Sequence, residues 1–170
     1  MKEVNSTEVS FWLNNYNDLF SDFDHRDYSQ RAVSDDFLAE AKRFTREKKF
    51  GEMEVHFLLP AKMRDKKEER LITKRLHEHF RHHHQFLHSD LRHTRRQGML
   101  LTGVGMLFMT GAALTTAYNI AALLRVILEP GGWFMTWMGL DLVFLIPHTK
   151  KAELEFYEKM SKGEIAFGSQ

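Results

Sequence analysis

The chain contains no cysteine. Disulfide bonds, thiolate metal ligands and cysteine nucleophiles are therefore excluded from its chemistry. It also lacks an excess of charge of either sign, because 24 Lys and Arg residues stand against 23 Asp and Glu residues, which gives a net charge of +1. Its basic residues do not alternate with aromatic residues. Together these features argue against nucleic acid as a partner.

Catalytic and phosphate-binding motifs are missing as well. The Gly-Val-Gly at 103–105 is not followed by the Lys-Ser/Thr pair of a phosphate-binding loop. The His-Glu-His-Phe at 77–80 is followed by Arg81, where a zinc protease motif would need histidine. The first residues have no basic start followed by an apolar core, so they do not form a signal peptide. We expect a protein that is not an enzyme.

Charge is nearly absent from one long segment, residues 99–147. A helix needs about 20 mostly apolar residues to cross a bilayer. The segment holds two such runs, which are separated by Glu129-Pro130-Gly131-Gly132. The pattern predicts a transmembrane helical hairpin in residues 98–147 with its turn at 129–132. A pair of helices buried inside a soluble domain is the alternative. The charged residues of the segment are Arg125, Glu129 and Asp141.

Positive charge flanks the predicted hairpin on both sides. Lys and Arg residues near the ends of a span are retained on the cytoplasmic side. We therefore expect both termini in the cytoplasm and a short turn on the far side, with Trp133 and Trp137 at the interface of the membrane with water. The flanking basic residues are Arg92, Arg95, Arg96, Lys150, Lys151, Lys159 and Lys162.

The predicted fold class is a mainly α membrane protein, with a small α+β cytoplasmic domain and a long stalk helix beside the hairpin. Hydrophobic periodicity predicts an amphipathic helix over 8–20 and a second helix over 35–48. Alternation predicts a single strand over 52–59. One strand cannot form a sheet, so it pairs either with another extended piece of the chain or with a second copy, and a strand left unpaired would favour oligomerisation. Four regions follow: an α+β domain at 1–64, a stalk at 65–97, the hairpin at 98–147, and a C-terminal helix with a loose tail at 148–170.

Histidines cluster on the predicted stalk. His79 with His83, and His84 with His88, stand four residues apart, which places each pair on one face of a helix. Such pairs suit Zn²⁺, Ni²⁺ or Cu²⁺, although a complete site needs further ligands. The alternative is a solvated helix face that binds no metal, and we expect no required cofactor.

Polar and small residues mark the predicted membrane segment and the stalk. Asp141 and Asn119 are candidate functional residues because ionisable and polar groups are rare inside a bilayer. Thr102 and Thr110 are candidate partners of Asp141. Small residues on the first span favour close packing of helices. The expected contact residues between copies are Leu76, Phe80, Leu87 and Gly111.

The order of features resembles a family of small uncharacterised bacterial membrane proteins with two spans. The similarity rests on Asp27-Tyr28-Ser29, Arg31 to Phe37, Val55 to Pro60, the region of His79 and Phe80, and the hairpin. The resemblance implies a bacterial inner-membrane location. It assigns no activity and transfers no catalytic residue.

These patterns favour two functions over a third, an enzyme that uses His and Glu as acid and base, for which the sequence supplies no nucleophile. The first is a self-assembling inner-membrane scaffold that recruits partners, in contact with membrane lipid and able to dock on a larger membrane complex. The second is a small ion or metal channel or transporter, with Asp141 in the pathway and the histidine cluster as a cytoplasmic sensor.

Overall fold

The computed structural model describes residues 7–47, 53–117 and 122–169. The chain divides into two compact units. Unit 1 comprises Met1–Phe86 and Ala152–Gln170, and unit 2 comprises Leu87–Lys151. The elements in chain order are β1 (Thr7–Trp12), α1 (Asp35–Glu47), β2 (Met53–Leu59), α2 (Lys66–Ala117), α3 (Ala122–Leu140), α4 (Ile146–Lys162) and β3 (Glu164–Ser169).

The sheet of unit 1 has three parallel strands in the order β1-β2-β3. In the central strand, Val55 pairs with Val9 on one side and with Ile165 on the other. Of the two expected alternatives, pairing with another extended piece of the same chain is therefore confirmed. The argument for oligomerisation that rested on an unpaired strand does not hold. The predicted loose tail is wrong, because β3 forms there.

Strand β1 replaces the first predicted helix. Val9, Phe11 and Leu13 are buried while Ser10 and Trp12 are exposed, which is the period of two that a strand requires. The second half of the predicted helix contains only a short 3-10 helix, Tyr16–Leu19, in which Tyr16 and Leu19 are buried. The two periods share Val9 and Leu13, so the apolar positions alone fit either element.

Helices α1, α2 and α4 supply the remaining core of unit 1. From α1, the ring of Phe37 packs against Phe57 of the sheet at a centroid distance of 5.8 Å. From α2, Phe80 meets Phe156 of α4 edge-on at 5.9 Å. Each fully buried large apolar side chain contributes about 1.5–3 kcal/mol. The apolar side chains with no exposed surface are Leu19, Phe57, Leu59, Ile72, Leu76 and Phe80.

A part-buried ion pair between Arg64 and Glu69 lies at the start of α2, and Tyr16 joins it from the segment after β1. Arg64 donates to both carboxylate oxygens of Glu69, at 2.8 and 3.2 Å. The Tyr16 hydroxyl donates to the same carboxylate at 3.2 Å and accepts the Asp65 N–H at 2.9 Å. The Arg64 guanidinium holds the pKa of Glu69 below its ordinary value, while burial raises the pKa of Tyr16. Each group is satisfied, so the cluster has a structural role.

The long helix is confirmed, since α2 runs without a break from the predicted stalk into the apolar segment. Among the described residues, it is the one helix long and apolar enough to cross a membrane by length and composition alone, and a second is not evident. The predicted turn at 129–132 is wrong, because α3 continues through Pro130.

The predicted helix end at Pro147 is also wrong. Proline crowds the preceding helical turn and cannot donate a backbone hydrogen bond. Here a π-helical segment, Asp141–Leu145, comes directly before α4. The Ile146 N–H donates to the Asp141 carbonyl five residues back, and this wider turn accommodates Pro147 within the helix.

Glycines bring α2 and α3 into backbone contact within unit 2. A Cβ atom at Gly105 would lie 2.6 Å from the Thr136 nitrogen and 2.8 Å from the Gly132 carbonyl oxygen. A Cβ atom at Gly139 would lie 2.7 Å from the Gly98 carbonyl oxygen. The glycines on each helix are seven residues apart, so the same antiparallel contact repeats after two turns. Glycine is required at these positions because any side chain would collide with backbone.

Two adjacent glycines of α3 provide a matched test of this contact. A Cβ at Gly132 would lie 2.9 Å from the Met109 nitrogen, whereas a Cβ at Gly131 would meet Phe108 Cδ2 at an ordinary 3.7 Å. We expect Gly132→Ala to destabilise the helix pair by about 1–3 kcal/mol through overpacking. Gly131→Ala should stabilise it by up to about 1 kcal/mol, since alanine favours a helix. Thermal unfolding followed by circular dichroism in detergent measures both; equal effects would contradict the backbone contact.

Candidate functional site

Unit 1 contains a groove of about 390 Å³ between residues of α1, α2 and α4. Its volume lies within the range of small-molecule sites. One part of its wall is apolar, and the other carries ionisable groups from all three helices. The lining residues are Ala32, Val33, Asp35, Leu38, Ala39, Lys42, Arg75, His79, His83 and Tyr157.

His79 and His83 form the histidine side of the groove. Their four-residue spacing on α2 places the ring centroids 4.3 Å apart, and His83 in turn stacks on Tyr157 at 5.2 Å. The Nδ1–H tautomer of His83 donates to the His79 carbonyl oxygen at 3.3 Å. Nε2 of His79 is buried and has no hydrogen-bond partner among the described residues. Burial, with His83 and Arg75 nearby, lowers the pKa of His79 to about 4.

Lys42 stands on the α1 side of the groove. Its ammonium group donates to Glu153 of α4 at 2.8 Å and lies 5.1 Å from the centre of the Tyr157 ring. Burial by itself lowers the pKa of Lys42, but the hydrogen bond to Glu153 and the nearby Tyr157 outweigh it and raise the pKa overall. Lys42 is therefore a permanent cation that is already paired.

Arg75 is the second cation of the groove. Its Nε–H donates to the Arg31 carbonyl oxygen at 3.0 Å, which fixes the guanidinium against the loop before α1. Among the described residues, the Arg31 carbonyl is the acceptor for Arg75 Nε–H, and the Nη–H donors of Arg75 have no acceptor. Arg75 lies four residues before His79, so both project from one face of α2.

The four predicted metal ligands do not converge. His79 and His83 share the groove, whereas His84 lies near Glu158 and His88 is exposed in unit 2. Within residues 7–47, 53–117 and 122–169, no group of three or more His, Asp or Glu residues could hold a metal ion. On a helix, the second pair is rotated by more than a quarter turn from the first, so the two pairs lie on different faces of α2.

Another histidine of the cluster has a structural position. Nε2 of His77 lies 2.9 Å from the Gly163 carbonyl oxygen, and its Nδ1 lies 3.0 Å from that of Thr73. Gly163 is the residue before β3. His77 therefore ties α2 to the start of the last strand.

The predicted contact residues separate into two groups. Leu76 and Phe80 are fully buried in the core of unit 1, so they have no surface left for a second copy. This position corrects their predicted role from interface to core. Leu87 is half-buried in unit 2, and a Cβ at Gly111 would meet Leu128 at 3.6 Å, an ordinary contact.

The predicted polar residues of the membrane segment are not brought together. Asp141 is exposed at the start of the π-helical segment, and Asn119 lies outside the described residues. The hydroxyls of Thr102 and Thr110 donate to the Gly98 and Met106 carbonyls of their own helix. Neither threonine is therefore the expected partner of Asp141.

Unit 2 exposes large apolar side chains on both of its helices. Clustered exposed apolar side chains of this size mark contact with lipid or with another protein. On the apolar part of α2 they are Met99, Leu100, Met106, Leu107 and Leu114, and on α3 they are Leu123, Leu124, Val126, Ile127, Trp133, Phe134, Trp137 and Met138.

Comparison of the chain with family models, with curated proteins and with solved structures finds no match.

Sequence patterns identified only the part of the groove that lies on one helix. The spacing of His79 and His83 signals a shared face, and both are in the groove. Lys42 and Tyr157 come from helices far away in the chain, and no local pattern connects them to α2. The apolar spacing of α1 and α4 shows only that these helices have a buried side.

The lowered pKa of His79 makes a testable contribution to stability. Above pH 6.5 the ring is neutral in both the folded and the unfolded chain. As the pH falls from 6.5 towards 4, the unfolded chain binds a proton and the folded chain does not, so stability is lost. Since the ring is partly exposed, solvent screening reduces this loss to on the order of 1–2 kcal/mol.

We expect His79→Gln to weaken the dependence of the urea midpoint on pH between 6.5 and 4. His82→Gln, at an exposed neighbouring position, is the control and should retain the wild-type pH dependence. Parallel profiles for wild type and His79→Gln would contradict the assigned burial of this imidazole.

Proposed function

We propose that the protein is a non-enzymatic bacterial inner-membrane module. Unit 2 inserts into the bilayer as a two-helix anchor, and unit 1 recruits a partner in the cytoplasm. The exposed apolar surface on both helices of unit 2 carries this proposal. Exposure of these side chains to water would be costly, at about 25 cal/mol per Å² of apolar surface, and lipid is the solvent that removes the cost.

The lengths of the helices fit a bilayer. The apolar part of α2 runs from Gly98 to Ala117, which is about 30 Å at helical rise and matches the hydrocarbon thickness. The second crossing would run from Ala122 to Leu145, about 36 Å if helical rise is kept through the π-helical segment. A helix longer than the bilayer is thick accommodates by tilting.

The connectivity of the chain supports two crossings. The chain leaves unit 1 after Phe86 and returns to it at Ala152. A folded unit 1 lies on one side of a membrane, so the inserted segment must cross an even number of times. If α2 crosses, α3 crosses back, although its own composition is less apolar.

The charges of the second crossing are compatible with this position. Arg125 donates to Glu129 at 3.2 Å, one turn along α3. Mutual pairing reduces the cost of placing both groups near the membrane surface. At the opposite end, Lys150 pairs with Asp90 at 2.8 Å, and Arg92, Arg95 and Arg96 are exposed just before Gly98. This asymmetry supports a cytoplasmic position for unit 1.

The absence of cysteine permits a clean test of topology, because each introduced thiol is unique. We expect a membrane-impermeant maleimide to label Ser89→Cys but not Ala122→Cys in inverted vesicles, and the reverse in right-side-out vesicles. Ser10→Cys, exposed on β1, is the control for unit 1 and should follow Ser89→Cys. Equal labelling of all three in both preparations would refute membrane insertion.

Self-assembly through a helix face of unit 2 is the second part of the proposal. A Cβ atom at Gly103 would meet no atom within 4 Å, and Leu107, Thr110 and Leu114 are exposed along the same face of α2. An open glycine allows another helix to approach closely within lipid. We assign the contact between copies to this face, defined by Gly103, Leu107, Thr110 and Leu114.

Particle mass in nanodiscs tests self-assembly. We expect wild type to be a multimer of the 20.1 kDa chain. Gly103→Leu should shift it towards the single chain, because a bulky side chain would block close approach. Val126→Leu, exposed on α3, is the control and should leave the mass unchanged. A single chain in the wild type would end the self-assembly proposal and leave the membrane anchor intact.

A further inference from the structure

Two residues that line the groove of unit 1, Arg75 and His79, carry polar atoms without a partner in the described part of the chain. The Nη donors of Arg75 have no acceptor among the described residues, because the contact to Arg31 uses only Nε. Nε2 of His79 is buried and equally without a partner in the described part of the chain. Buried polar atoms of folded proteins are otherwise almost always hydrogen-bonded. In the described part of the chain this rule applies to His79 Nε2, whereas the Arg75 Nη donors are not buried. A ligand with acceptor atoms in the groove would satisfy both residues.

The positive groups near His79 favour a negatively charged acceptor. His82, His83 and Arg75 all oppose protonation of its ring, as does burial. An anion placed between Arg75 and His79 would accept hydrogen bonds from the guanidinium and would stabilise a proton on Nε2. Arginine is suited to phosphate and carboxylate groups because its planar fork donates two parallel hydrogen bonds.

The residues that line the rest of the groove determine the chemistry of the remainder of the ligand. On the α1 side, Val33, Leu38 and Ala39 are apolar, and the ring of Tyr157 closes the α4 side. Lys42 is already bonded to Glu153, so it is a weaker attraction than Arg75. Asp35 is the one carboxylate of the lining and would repel an anion.

We propose that this groove is a binding site for a small molecule that carries one oxyanion group on an apolar body. The oxyanion bonds Arg75 and His79, and the apolar body lies against Leu38 and Ala39. Binding takes up a proton at His79, so affinity increases as the pH falls below neutrality. The site is separate from the membrane anchor and would give unit 1 a soluble effector.

Phenyl phosphate and benzoate are suitable probes, since they share a ring and differ in the oxyanion. The full chain in a neutral detergent is titrated with each probe, and the imidazole signals are followed by NMR, with His79 assigned from His79→Gln. We expect the His79 signal to shift with saturation. The probe that binds more tightly distinguishes a phosphate site from a carboxylate site, and phenol, which is uncharged, should not shift the signal.

Two variants with opposite expected effects test the assignment. Arg75→Gln should weaken binding about tenfold or more, because it removes the charged donor. Asp35→Asn should strengthen binding about threefold or more, because it removes the repelling carboxylate. A gain of affinity cannot come from misfolding. The Asp35→Asn variant therefore tests the site even if Arg75→Gln loses affinity because it fails to fold.

The affinity of the probes should also depend on pH. Binding to wild type should strengthen from pH 7.5 to 6, and this dependence should diminish in His79→Gln. Absence of a saturable shift with either probe, or equal affinities in wild type, Arg75→Gln and Asp35→Asn, would overturn the proposed site. Either result leaves the labelling pattern of the membrane anchor unaffected, so the two proposals fail independently.

Discussion

The pairing of β3 with β2 is the constraint on which the rest of the structure depends. Strand β2 occupies the centre of a parallel sheet and needs a neighbour on each side. The second neighbour begins at Glu164, so more than 100 residues are looped out between adjacent strands. Everything in unit 2 is an insertion into that loop. The requirement that the chain return explains why α4 packs on α2 through Phe156 and Phe80, and why His77 holds Gly163 just before the last strand.

Helix α2 performs two tasks in unit 1 with two rows of residues. Ile72, Leu76 and Phe80 form the core row, and each follows the previous one by four positions. Arg75, His79 and His83 form the groove row with the same step, offset by one residue along the chain. The core row fixes the rotation of the helix. The groove row is thereby held at a set angle to α1 and α4, while the loop before α1 completes the groove through Ala32, Val33 and the Arg31 carbonyl that accepts from Arg75.

Sequence patterns predicted the elements whose signal is local and missed those whose partner is distant. Helix α1, strand β2 and the continuous α2 follow from periodicity and from the absence of helix breakers. Strand β1 was mistaken for a helix because Val9 and Leu13 suit both periods. Strand β3 is short and contains Gly168, so only its pairing with β2 identifies it. The Pro130-Gly131-Gly132 sequence was mistaken for a turn, whereas Gly132 serves a helix contact. The sequence predicted only the α2 residues of the groove, because the fold alone brings the α1 and α4 residues next to α2.

The order of elements along the chain also determines the order of assembly during synthesis. The apolar helices of unit 2 leave the ribosome before β3 does, so the sheet of unit 1 is incomplete while they are being made. During this interval β2 has an open edge, and the apolar residues later covered by α4 are exposed. Under the proposed anchoring, completion of the sheet marks a chain whose membrane segment has already been synthesised. A partner that recognises only the complete sheet of unit 1 would therefore bind only chains whose membrane segment has already been synthesised.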